Sequence, residues 1–119
     1  ESLNKFLYGV QFNNKPFGSF LKSFSVDFSQ TFIYCDPPYL ETTDNYSHSF
    51  KQSDSFDLFD SLQKTGCKFA YSEFNHPFIL QQAKERNLNV HIIGECQNLK
   101  NRRIEILVTN YKLNQLKLF

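Results

Sequence analysis

The chain has 119 residues, which is enough for one small domain with its own core. Hydrophobic residues make up 40% of the sequence and the net charge is +1, so the composition excludes a disordered tail and a whole-chain field that attracts DNA by itself. No apolar run approaches the roughly 18 residues of a membrane span, and the N-terminus has no signal-peptide pattern. The chain begins at Glu1 and contains no methionine, which predicts that the polypeptide continues upstream.

The first predicted elements lead to a strand that ends abruptly. Residues 13–18 are a turn-rich loop, and residues 19–24 predict a short helix. The apolar run at residues 31–35 is rich in β-formers and stops at two prolines, which remove backbone donors and fix φ. Because this run is apolar on both faces, it predicts a strand of a parallel sheet that is covered by helices.

The later elements alternate between helix and strand. A polar loop over residues 40–53 precedes them. The pattern predicts a helix from Ser53 or Asp54 to Gly66, a strand at 67–71, a helix from Pro77 to Asn87, a strand at 90–93, a polar loop at 95–102 and a strand at 103–111. This order predicts parallel crossovers followed by an antiparallel hairpin of the last two strands.

Cysteine usage gives a clear expectation about redox state and metals. Cys35, Cys67 and Cys96 are an odd number and lack CxxC spacing. A disulfide framework or a zinc site is therefore not expected. Reduced thiols in a cytoplasmic protein are the prediction.

The segment Asp36-Pro37-Pro38-Tyr39 lies beyond the carboxyl end of a predicted strand, where open α/β sheets bind ligands. The prolines aim the Asp36 carboxylate and the Pro37 carbonyl at one small region. An amino group on an aromatic base is a poor nucleophile because its lone pair is delocalised into the ring. Two hydrogen-bond acceptors that bind its N–H groups localise the lone pair on the nitrogen. Tyr39 offers a flat face for a base swung out of a helix. Such chemistry requires positioning beside a methyl donor and no metal.

The run Ile-Tyr-Cys-Asp-Pro-Pro-Tyr at 33–39 resembles the catalytic motif of the DNA adenine methylases of the Dam-like (D12) class. Residues 69–74 resemble the next strand of that family and its functional tip, where Ser72 and Glu73 are site candidates. Residues 103–111 resemble its closing strand, and residues 12–18 are similar to the end of its DNA-recognition region.

The resemblance implies an α/β fold with a partial Rossmann-like, S-adenosylmethionine-dependent methyltransferase sheet that ends in an antiparallel hairpin. It implies that residues 1–28 end the DNA-recognition region and that residues 29–119 are the C-terminal half of the catalytic domain. The implied cofactor is S-adenosylmethionine, and the implied partner is double-stranded DNA with a flipped adenine.

The resemblance also assigns roles residue by residue. The implied catalytic residues are Asp36, Pro37, Pro38 and Tyr39. Asp36 also contacts the cofactor in this assignment. The residues expected to contact DNA are Lys100, Arg102, Arg103, Asn13 and Lys15. Their contacts with phosphates give position and salt dependence rather than sequence choice.

One departure from the family concerns the cofactor. Family members carry an aromatic residue and a glycine-rich turn upstream, whereas Gly9 and Gly18 are isolated here. The sequence therefore predicts the C-terminal half of a larger enzyme, completed by its own upstream half or by a partner chain.

Three functions compete at this point. The first is a site-specific DNA methyltransferase that transfers a methyl group to adenine N6, within a restriction–modification system or alone. The second is a ribosomal-RNA guanine-N2 methyltransferase, since related folds also use Asp-Pro-Pro-Tyr. The third is a truncated non-catalytic product or a split methylase fragment that needs a partner chain.

Overall fold

The computed structural model describes residues 8–23, 27–40, 49–97 and 102–113, with the side chains of 96, 97 and 102 left outside the description. The elements are α1 (Phe17–Lys22), β1 (Phe32–Cys35), α2 (Gln52–Thr65), β2 (Lys68–Phe74), α3 (Pro77–Glu85), β3 (Asn89–Gln97) and β4 (Arg102–Thr109). The presence of both helices and strands in this order confirms the prediction of an α/β fold.

The four strands form one mixed sheet in the order β1-β2-β4-β3. β1 and β2 pair in parallel, as predicted for two strands joined by a helix. β4 lies between β2 and β3 and runs antiparallel to both. The hairpin connection predicted between the last two strands falls at residues 98–101, outside the described residues. A register shift between Ile92 and Gly94 marks a bulge in β3.

The core lies between the sheet and the two longer helices. Tyr71 of β2 stacks on Phe59 of α2, with ring centroids 4.2 Å apart and an interplanar angle of 17°. The Tyr71 hydroxyl is 2.9 Å from the Ser55 hydroxyl, so its buried polar end has a partner. The buried cluster comprises Leu40, Leu58, Phe59, Leu62, Phe69, Tyr71, Ile79, Ala83, Ile106 and Val108. Burial of these apolar side chains is the main stabilising term for the domain.

The opposite face of β1 differs from the prediction. Phe32 is 54% exposed and Tyr34 is 59% exposed, whereas Ile33 and Cys35 pack against the core. The expectation that both faces of this strand are covered by helices is therefore wrong for the chain by itself. Among the described strands, β1 lies at the edge of the sheet, with β2 as its neighbour.

α2 begins and ends for local reasons. Its N-cap is Lys51, not the predicted Ser53 or Asp54. Asp54 instead acts from inside the first turn, because its Oδ2 accepts a hydrogen bond of 2.9 Å from the Lys51 backbone N–H. Gly66 ends the helix as predicted, with φ of 74°, a conformation that disfavours other residues.

α3 begins at Pro77, and the His76 ring accepts a hydrogen bond of 3.0 Å from the Phe78 N–H. Ile79 and Ala83 of this helix are buried, whereas Leu80 is 39% exposed.

Other boundaries differ in length from the predictions. α1 spans Phe17–Lys22 rather than 19–24, and none of its residues is buried. β2 continues to Phe74, and β3 continues to Gln97 into the predicted polar loop. Both extensions pair with β4, so backbone hydrogen bonds to a neighbour outweigh the polar character of the side chains. In the described part of the chain, no helix is long and apolar enough to cross a membrane.

Candidate active site

The Asp-Pro-Pro-Tyr segment leaves the sheet at the carboxyl end of β1, directly after Cys35. Asp36 is exposed, Pro37 is half-buried, and Leu40 at the end of the segment is 1% exposed. The segment is therefore held at one end by a strand and at the other by a core side chain. Two prolines between these anchors restrict the backbone, so the exposed Asp36 carboxylate is presented from a rigid support.

Tyr39 is fixed by contacts with two other strands. Its hydroxyl donates a hydrogen bond of 2.5 Å to Oε1 of Glu105 in β4. Its ring meets the ring of Phe74 edge-on, with centroids 5.7 Å apart and an interplanar angle of 64°. Phe74 and Glu105 are direct neighbours in the register of β2 and β4, which explains why one side chain reaches both.

Glu73 is a fully buried carboxyl group beside the same segment. Its side chain is 0% exposed, and its Oε1 accepts hydrogen bonds from the backbone N–H of Leu40 (3.3 Å) and of Phe74 (3.1 Å). Its other oxygen, Oε2, is buried and has no hydrogen-bond partner in the described part of the chain. Burial raises the pKa of Glu73 to about 7, against the two backbone hydrogen bonds, which lower it.

The surrounding charges act on Glu73 in opposite directions. The Asp36 carboxylate raises the pKa of Glu73 further, and the Arg103 guanidinium lowers it. Arg103 lies over the Phe74 ring, with its guanidinium carbon 5.0 Å from the ring centroid. The Asp-Pro-Pro-Tyr segment, the end of β2 and the start of β4 thus form one connected site.

The residues predicted to contact DNA fall into different places. Arg103 lies within the site described above. Asn13 and Lys15 are exposed in the segment that precedes α1. Arg102 begins β4, while its side chain, like the whole of Lys100, lies outside the described residues.

Two residues of the run at 103–111 make contacts that the sequence did not indicate. Glu105 binds Tyr39. Asn110 directly follows β4 and joins it to β2. In the structure, Asn110 Oδ1 accepts from the Phe69 N–H and its Nδ2 donates to the Cys67 carbonyl, both at 2.9 Å. Asn110 therefore extends the pairing of β4 with β2 by one residue.

Cys35 and Cys67 are free thiols, and burial raises the pKa of Cys35 to about 11. A thiol with so high a pKa remains protonated at neutral pH and packs beside the site as a small apolar group. Among the residues that the structure describes, no group of three or more His, Cys, Asp or Glu side chains is placed to hold a metal ion.

A mixed α/β sheet with Asp-Pro-Pro-Tyr beyond the carboxyl end of a strand is the arrangement expected of an amino-methylating enzyme, and comparison with known families agrees. The chain belongs to the D12 class of N6 adenine-specific DNA methyltransferases, whose family model matches residues 4–116.

One relative is the modification methylase LlaI of Lactococcus lactis subsp. lactis. It is 34% identical over 97 residues, a match that covers 68% of this chain and 15% of that protein. The chain thus spans a small part of the length of the curated relative that it matches.

Proposed function

We propose that this chain is the catalytic part of a site-specific DNA methyltransferase that transfers a methyl group from S-adenosylmethionine to adenine N6. The observation that carries the proposal is the anchored segment beyond β1: Asp36 is exposed, while Tyr39 and Leu40 are held by Glu105 and Glu73. Membership of an adenine-specific DNA family favours this function over that of a ribosomal-RNA guanine methyltransferase.

The proposed chemistry is activation of an amino group by two acceptors. The Asp36 carboxylate and the Pro37 carbonyl accept hydrogen bonds from the two N–H groups of a flipped adenine. These bonds localise the nitrogen lone pair and orient it. Tyr39 stacks on the base, and the 2.5 Å bond of its hydroxyl to Glu105 limits rotation of the ring. A flipped base in double-stranded DNA is the proposed substrate.

S-adenosylmethionine, when bound, supplies an electrophilic methyl group. Asp36 fits one edge of its site, because an exposed carboxylate at the carboxyl end of a strand suits the hydroxyl or ammonium groups of such a ligand. The glycine-rich turn that family members use for this cofactor is not among the four glycines of this sequence. We therefore assign most of the cofactor site to another part of the enzyme.

The completing part is the upstream half of the same polypeptide or a partner chain. The chain spans 15% of the related methylase, and the aromatic side chains of Phe32 and Tyr34 are more than half exposed on β1. An edge strand with exposed aromatics is a suitable surface for further strands and helices of a Rossmann-like sheet. In this proposal residues 1–28 end the DNA-recognition region, and residues 29–119 are the C-terminal half of the catalytic domain, acting in the cytoplasm.

DNA contacts are proposed for Arg103, Arg102, Lys100, Lys15 and Asn13. Arg103 has the best support, because it lies against Phe74 beside the Asp-Pro-Pro-Tyr segment. With a net charge of +1, the chain has no strong global field, so these local groups would position the duplex. Replacing one phosphate-binding cation by alanine is expected to reduce the salt dependence of DNA binding by about one released ion.

The test is transfer of a labelled methyl group to adenine in unmethylated DNA by the complete enzyme. Asp36→Ala is expected to lower transfer at least about a thousandfold, since it removes an acceptor that acts at the reacting nitrogen. DNA binding should change less than about threefold, because most of the affinity comes from phosphate contacts elsewhere. Asp57→Ala, an exposed aspartate of α2, is the matched control and should leave transfer unchanged.

Each result has a definite meaning. Label on adenine N6 that depends on Asp36 supports the proposal. Label on another base, or appreciable turnover by the Asp36→Ala variant, contradicts it. Transfer by the 119-residue chain alone would overturn the assignment of the cofactor site to another part of the enzyme. Absence of methyl transfer by the complete enzyme would favour the alternative that the protein is a non-catalytic product.

A further inference from the structure

Glu73 is an unusual residue for its place in the fold. It is 0% exposed although it is a carboxylic acid, and its Oε2 has no hydrogen-bond partner among the residues that the structure describes. Burial of a carboxyl group is costly unless hydrogen bonds compensate it. An apolar side chain at this position would avoid that cost, so the polar contacts that Glu73 does make require an explanation.

Those contacts meet at a single oxygen. Oε1 accepts from the N–H of Leu40, the residue that follows Tyr39, and from the N–H of Phe74, whose ring contacts Tyr39. One atom thus joins the backbones on both sides of the Tyr39–Phe74 contact. Its position fixes how far the end of the Asp-Pro-Pro-Tyr segment lies from the end of β2.

We propose that Glu73 is a positioning residue for methyl transfer, which acts by holding the Asp36–Leu40 segment against β2 through its Oε1 atom. This inference rests on the proposed function of the segment. Glu73 does not touch the reacting atoms in this role. It sets the location of Tyr39 and, through the rigid prolines, of the Asp36 carboxylate and the Pro37 carbonyl.

Glu105 complements this role from the neighbouring strand. Glu73 holds the backbone after Tyr39, and Glu105 holds the Tyr39 hydroxyl. Glu73 immediately precedes Phe74, the residue of β2 that is paired with Glu105 of β4. The segment is therefore fixed at two neighbouring points by two adjacent strands, which is what a near-attack geometry requires.

Two substitutions separate the position of the acceptor from its charge. Glu73→Gln keeps an oxygen in place and removes the ionisable carboxyl group. Glu73→Asp keeps an ionisable carboxyl group and withdraws its oxygen by about 1.5 Å, the length of one C–C bond. A misplacement of this size lowers a catalytic rate by about a hundredfold. We expect that reduction in kcat for the Asp variant, with KM for DNA within about threefold, and kcat for the Gln variant within about threefold of wild type.

The controls are Glu85→Asp and Glu85→Gln on the exposed side of α3, which should leave both constants unchanged. Amide hydrogen exchange at Leu40 supplies a readout that does not depend on activity. It should be slow in wild type and the Gln variant and at least about tenfold faster in the Asp variant, since the amide loses its acceptor.

The outcomes separate the two proposals. A Gln variant that loses activity while the Asp variant keeps it would show that the charge matters and would overturn the positioning role. Unchanged exchange at Leu40, or faster exchange with unchanged kcat, would also overturn it. If wild type transfers no methyl group to adenine, the proposed function fails, whereas the exchange at Leu40 still decides whether Glu73 holds the segment.

Discussion

The protonation of Glu73 should make the stability of the fold depend on pH in an unusual direction. Burial raises the pKa of this carboxyl from 4.5 to about 7. At pH values between these two numbers, Glu73 keeps its proton in the folded protein but has released it in the unfolded chain. Stability therefore falls as pH rises from about 4.5 to about 7, which is opposite to the effect of a salt-bridged carboxylate.

The magnitude follows from the size of the pKa change. Each pKa unit corresponds to about 1.4 kcal/mol, so the rise from 4.5 to about 7 corresponds to about 3 kcal/mol in the free energy of unfolding. The side chain is 0% exposed, so solvent screening reduces this figure little. A change of this size is a large fraction of the stability of a small domain.

Urea unfolding of wild type and of Glu73→Gln, followed by circular dichroism at several pH values, measures the effect. The difference between the two proteins cancels the titration of all groups that they share. We expect that difference to shift by about 3 kcal/mol against wild type between pH 4.5 and pH 7, and to level off above. If the free energies of unfolding of the two proteins changed in parallel over this pH range, the reasoning would be refuted, because Glu73 would then have the same pKa in the folded and unfolded states.

Three further predictions concern single positions. Asn110→Ala should lower the free energy of unfolding by about 1–3 kcal/mol, because it removes two hydrogen bonds to the start of β2. Urea denaturation measures this free energy, and an unchanged value would show that water replaces the two bonds. Gly66→Ala should cost about 1–2 kcal/mol because φ is 74°, whereas at Gly94 φ is not positive and an added Cβ would make only an ordinary contact, 3.9 Å from Glu105 Oε2; equal melting temperatures for the two variants would contradict this. The Cys35 thiol, with a pKa of about 11, should be alkylated at pH 8 about a hundredfold more slowly in the folded protein than in the protein unfolded by urea. Peptide mass spectrometry measures both rates, and a difference of less than about tenfold would contradict this prediction.

The sequence was informative where local chemistry decides the structure. Two prolines ended β1 at the predicted residue, and Gly66 ended α2 in a conformation that glycine adopts most easily. Each of these signals acts within one or two residues of its own position. The location of the Asp-Pro-Pro-Tyr segment beyond a strand was therefore predictable.

Contacts between distant residues were not predictable in this way. Tyr39 binds Glu105, which is 66 positions away, and the Leu40 N–H binds Glu73, which is 33 positions away. The first contact depends on the insertion of β4 beside β2, and the second depends on the parallel pairing of β1 with β2. Local patterns of hydrophobicity carry no information about register between strands so far apart. β2 and β3 are longer than their apolar runs because their ends pair with β4, and a local pattern does not show that pairing either.

The direction of β4 explains why its charged residues serve the site. A strand antiparallel to β2 begins at the edge of the sheet where β2 ends, so Arg103 and Glu105 at its start lie beside Phe74. A parallel strand in the same place would bring its last residues there instead. Both residues therefore lie beside the carboxyl end of β2, where Glu73 and the Asp-Pro-Pro-Tyr segment meet. The antiparallel strand supplies the site with the guanidinium that lies over Phe74 and with the carboxylate that binds the Tyr39 hydroxyl.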